Sequence, residues 1–150
     1  MYRIHVQYAV QSLFIPRPAQ IRAWSKAILA QEKSAGEITI RIVNLEEITH
    51  LNETYRHKKE PTNVLSFPSS LPIVVAEKTK ILGDIAICAE IVNQEAKEQH
   101  KSQEAHWAHM VVHGILHLLG FDHVQPDQAL EMETKEIKII KSFGYPNPYQ

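Results

Sequence analysis

The chain has 150 residues, of which 44% are hydrophobic and 22% charged, with a formal net charge of −1. That balance belongs to an ordinary globular domain with a real core, and it excludes a protein that coats nucleic acid through bulk positive charge. No apolar run approaches membrane-spanning length, and the single cysteine, Cys88, has no intrachain partner.

The opening stretch MYRIHVQYAV alternates, so residues 2–10 read as a strand rather than a signal peptide. Pro16 and Pro18 open a helical stretch with Ile21, Trp24, Ile28 and Leu29 on one face. ITIRIVN, 38–44, is β-branched and alternating, the pattern of a second strand. Asn44 and Glu47 form an N-cap pair for a short helix reaching Tyr55. NVLSF, 63–67, is a strand between Pro61 and Pro68, which predicts an edge position because proline cannot donate to a ladder. Residues 68–80 read as an exposed loop, and ILGDIAI, 81–87, as a further strand. Three helices follow: Glu90 to about Gln99, Ser102 to Leu119, and Pro126 to Phe143 with a stop at Gly144. Strands early and helices late predict one α+β domain over 1–150, a small mixed sheet covered by helices. With a lone cysteine expected as a small buried apolar group and no membrane segment, the expected location is the cytoplasm.

Chemistry concentrates in HGILHLLGFDH, His113 to His123. His113 and His117 are four apart on a predicted helix, so their imidazoles share a face. Gly120 lets the chain leave that helix with positive φ and bring His123 back as a third nitrogen. Three neutral imidazoles suit zinc, and with three protein ligands the fourth position is open, as in a catalytic site. At a histidine frequency of about 0.06, chance gives this spacing roughly once in thirty such chains before the glycine is required, so the motif favours a metal centre at the helix end. His106 and His109 extend the stripe upstream without a turn to bring them round. They are expected at the surface or behind the ligands. His5, His50, His57 and His100 have no metal-like spacing.

The spacing is that of the zinc proteases with H-E-x-x-H-x-x-G-x-x-H, except that their glutamate, the base that handles the proton of water and leaving amine, is replaced by Gly114. Asp122 is the nearest carboxylate and is expected to orient a histidine. A peptidase is therefore disfavoured. Phosphodiester cleavage fits better, since a metal polarises a phosphoryl oxygen and a nearby cation stabilises the leaving alkoxide. Arg56, heading the basic run with Lys58 and Lys59 in the predicted loop before the edge strand, is the candidate cation.

These segments resemble the bacterial YbeY family of metal-dependent endoribonucleases. HGILHLLGFDH fits the signature H-G-x-L-H-L-x-G-[YF]-D-H, Arg56 with PTNVLSFP fits a second motif, and Leu82 to Ile85 a third, L-G-D-I, in the family's order. The resemblance implies one zinc ion on His113, His117 and His123, and Arg56 beside the cleft in catalysis or RNA binding. It implies single-stranded RNA as substrate, action in 16S ribosomal RNA 3′-end maturation and 70S ribosome quality control, and the ribosome or its proteins as partners. Asn63 stands where many members carry aspartate, so no catalytic role is carried over to it. Two other classes remain open: a metallopeptidase-like hydrolase gripping an extended peptide along strand 63–67, and a ribosome assembly factor whose zinc is mainly structural.

Overall fold

A computed structural model describes residues 2–11, 13–69 and 80–150. In chain order the elements are β1 (Tyr2–Tyr8), α1 (Pro18–Gln31), β2 (Gly36–Val43), α2 (Leu45–Arg56), β3 (Val64–Pro68), β4 (Ile81–Cys88), α3 (Ala89–Glu98), α4 (Gln103–Leu118) and α5 (Pro126–Ser142). The expected α+β class with a small mixed sheet is what the chain adopts. The strands lie in the order β1-β2-β4-β3, with β1, β2 and β4 parallel and β3 antiparallel to β4. Thus β3 is an edge strand, as its flanking prolines predict. Most of the segment expected as a loop over 68–80 falls outside the described residues.

Alternation along the strands divides the core in two. Ile38, Ile40 and Ile42 of β2, with Ile85 and Ile87 of β4, face the large core under α1, α3, α4 and α5. Val43, Ala86 and Cys88 face the other way, against Ile48 of α2 and Leu65 of β3. Cys88 is buried there, and loss of solvation pushes its thiol up. Asn44 caps α2 by accepting from the Glu47 amide at 2.8 Å, as the sequence predicts, but the helix includes Arg56 and ends at His57, whose φ is +60°.

Helix α4 is the middle of the molecule, buried over almost its whole length and packed on β3, β4, α1, α3 and α5. Its burial explains why its apolar residues run round the cylinder instead of along one stripe. At its C-terminus the Gly120 amide donates to the His117 carbonyl and the Phe121 amide to that of Leu116, with φ +99° at Gly120. This paired closure reverses the chain and points residues 121–123 back past the helix end. None of the described helices is long and apolar enough to cross a membrane.

Candidate metal centre

The turn at Gly120 does what the spacing predicts. The imidazoles of His113, His117 and His123 come together, with one nitrogen from each lying within 4.8 Å of the other two. The Nε2 atoms of His113 and His117 are 3.1 Å apart. Two nitrogens held at about 2.0–2.1 Å by one tetrahedral ion would stand about 3.3 Å apart, so the pair fits a single metal. Each ring is half-buried or exposed on a cleft of about 590 Å³, so ions and solvent reach the nitrogens. Burial, and then the neighbouring His113 and His123, push the His117 imidazole down from its ordinary value, which favours the neutral form a metal needs.

Behind the triad lies a carboxylate that sequence reasoning missed. Glu136, on α5 and 1% exposed, accepts from His113 Nδ1 at 3.1 Å and from His109 Nε2 at 2.8 Å, both on Oε2. Burial alone would raise this carboxyl. The hydrogen bonds and charge of the two histidines outweigh it and hold the group at about 2. An ionised carboxylate only accepts, so His113 carries its hydrogen on Nδ1 and leaves Nε2 free for the metal side. The available signal was a glutamate in the apolar row Met132, Glu136, Ile139, Ile140, all buried.

His106 and His109 are not surface groups. Both are buried, and each binds a carboxylate: His109 that of Glu136, His106 that of Glu95 at 2.9 Å. Asn63 donates to both Glu95 oxygens at 3.2 Å and accepts the Val64 amide at 2.7 Å, so its side chain ties β3 to α3. Asp122 accepts the amide of His123 at 2.7 Å, so it holds the backbone of the turn and not an imidazole.

Arg56 lines the same cleft as the three histidines. Its guanidinium lies 5.1 Å from the Phe67 ring centroid and donates to the Ser66 carbonyl at 2.7 Å. The cation is thus fixed on β3 although it stands at a helix end, and stacking leaves much of its donor fork unused. These contacts also bear on peptide binding. The Cys88 amide donates to the Asn63 carbonyl and the Ser69 amide to that of Leu82, so odd-numbered residues of β3 bond β4 and even-numbered ones face the open edge. On that edge the Val64 amide is taken by Asn63, the Ser66 carbonyl by Arg56, and Pro68 has no amide hydrogen. An extended peptide would find half its ladder already occupied.

Comparison with known proteins agrees with the geometry. The family described as Endoribonuclease YbeY matches residues 11–144. Endoribonuclease YbeY of Nitrosococcus oceani is 50% identical over 147 residues, covering 98% of this chain and 96% of that one. The solution structure of TM1509 from Thermotoga maritima is 27% identical and matches with a TM-score of 0.62 over 92% of this chain and 87% of that chain. The chain belongs to the YbeY endoribonuclease family.

Proposed function

We propose that this chain is a zinc-dependent, single-strand-specific endoribonuclease, with one zinc held by His113, His117 and His123 and Arg56 as the catalytic cation. The observation that carries this reading is the shared cleft: three convergent imidazole nitrogens face a space that Arg56 also lines. When bound there, zinc supplies Lewis acidity toward a phosphoryl oxygen and lowers the pKa of water. Arg56 holds the phosphate through its planar fork and offsets charge on the leaving oxygen. Asp122, by fixing the His123 amide, and Glu136, by fixing the His113 ring, keep the triad assembled before substrate arrives.

Family membership supports a cytoplasmic role in 16S ribosomal RNA 3′-end maturation and 70S ribosome quality control, with the ribosome or its proteins as partners. Gly114 in place of a base and the occupied β3 edge weigh against a peptidase. Accessible imidazole nitrogens in a cleft weigh against a purely structural zinc. The test is incubation of zinc-loaded and chelated protein with single-stranded and duplex ribosomal RNA segments. Metal-dependent cuts confined to single strands support the reading. A 5′-phosphate product identifies water as nucleophile, and a cyclic phosphate the 2′-hydroxyl. Zinc-loaded protein that leaves every RNA intact overturns it.

A further inference from the structure

A carboxylate withdrawn from water costs several kcal/mol unless donors surround it. Among the described residues Glu136 has three, and of these His113 belongs to the metal triad. The third donor comes from the end of the chain: Tyr149 Oη donates to Glu136 Oε1 at 2.7 Å. Its ring meets His109 edge to face, with centroids 5.3 Å apart and planes at 83°. The tail is tied down locally, with the Tyr149 amide on Asn147 Oδ1 at 2.8 Å and Lys101 Nζ on the Pro148 carbonyl.

The division of donors matters. His109 and His113 share Oε2, while Tyr149 occupies Oε1. Without the phenol nothing holds Oε1, so the carboxylate can turn about its last bond and carry Oε2 away from His113 Nδ1, which loosens the bond that sets the ring. An isolated neutral histidine prefers its hydrogen on Nε2, the nitrogen that must be bare to bind metal here. The bond to Glu136 reverses that preference.

We propose that the C-terminal tail is a working part of the metal centre: Tyr149, through Glu136, is a positioning residue that commits His113 to the Nδ1–H tautomer and aims its Nε2 into the cleft. The inference rests on reading the triad as a metal site.

Tyr149→Phe tests it, because the ring and its contact with His109 stay while the hydroxyl goes. Zinc affinity is measured by competition with a chelator of known strength, and the tautomer of His113 by nitrogen-15 NMR of the metal-free protein at pH 8. The parent is expected to show His113 with hydrogen on Nδ1. Tyr149→Phe should give a mixture of tautomers and weaken zinc about five- to tenfold, and Glu136→Gln should weaken it about 10- to 100-fold. Tyr149→Phe with the parent's zinc affinity and unchanged His113 signals overturns the proposal, even if its melting temperature falls. A parent that binds no zinc removes the metal reading instead, and the NMR comparison then still decides whether Tyr149 sets the tautomer.

Discussion

Gly114 is pressed against Ile85. A Cβ built on Gly114 would lie 3.0 Å from Ile85 Cγ2, 3.1 Å from its Cδ1 and 3.4 Å from Ser66 Oγ. The Ser66 hydroxyl meanwhile donates to the Gly114 carbonyl at 2.9 Å. The glycine therefore lets the helix that carries His113 and His117 sit close on β3 and β4, and the position where the proteases keep a base is part of the helix–sheet contact.

From this follows the behaviour of Gly114→Glu, which restores the protease motif. The new side chain starts into Ile85, so the helix must move or the carboxylate must bend past Ser66. Overpacking of this kind costs about 1–3 kcal/mol, and partial burial of the charge adds to it. The expected result is a lowered melting temperature and no efficient peptide turnover. Brisk peptidase activity in a well-folded variant would contradict the packing argument.

Metal removal should be legible in stability. An ion bound only by the folded chain stabilises it by mass action, about 4 kcal/mol at a thousandfold excess over Kd. One zinc per chain is expected by elemental analysis, with a melting temperature that drops on chelation. His113→Ala, His117→Ala and His123→Ala should each lose the ion, the RNA cleavage and the response to chelator. A parent protein whose melting ignores chelator, or that carries no transition metal, speaks against the site.

How much of this was legible in the sequence depended on distance along the chain. His113, His117 and His123 lie within eleven residues, and their convergence follows from helical period and one glycine turn. The strand and helix bounds came within a few residues for the same reason, since alternation and caps are local. Glu136 and Tyr149 reach His113 and His109 only through the packing of α5 and the tail on α4, which no local pattern encodes. His106 and His109 read equally as surface groups or as partners behind the ligands, because α4 is buried on nearly all sides and has no solvent stripe to mark its faces. Arg56 reads as loop in the sequence because α2 closes one residue beyond Tyr55, at the left-handed His57, and its anchor Ser66 lies ten residues on in the edge strand.

The buried carboxylates and histidines predict an acid-labile fold in the chelated protein. His109 and His117 are held below 6.5 mainly by burial, so as pH falls through 6.5 the unfolded chain takes up protons that the folded one refuses, and stability drops. Glu136 at about 2 acts in the same direction below 4.5, and on its own removes on the order of 3 kcal/mol by pH 2. Glu95 is also lowered: burial opposes this, but the hydrogen bonds from His106 and Asn63 prevail. Denaturation midpoints of the chelated protein should fall steadily from pH 8 to pH 4 and more steeply beyond. Glu136→Gln should flatten the limb below pH 4.5. A stability maximum near pH 5 would show that these groups do not control the fold.

Arg56→Glu separates a nuclease from a scaffold. The substitution exchanges a forked cation for an anion facing a polyanion, in a cleft shared with His113, His117 and His123. If Arg56 meets the phosphate in the transition state, cleavage should fall at least about a hundredfold while the zinc stays, because the guanidinium is held by the Tyr55 and Ser66 carbonyls and the Phe67 ring and not by the histidines' hydrogen bonds. Stability should also suffer. Arg56 closes the last turn of α2 over Phe67, and losing the stacking and the favourable charge at a helix C-terminus costs about 1–2 kcal/mol. Arg56→Lys keeps the charge and loses the two-pronged contact, so a drop of roughly tenfold is expected, with a smaller loss of stability than in Arg56→Glu. Cleavage rate, zinc content and melting temperature are measured on the same preparations. Arg56→Glu that folds, keeps its zinc and cuts RNA at the parent's rate rules out the phosphate contact.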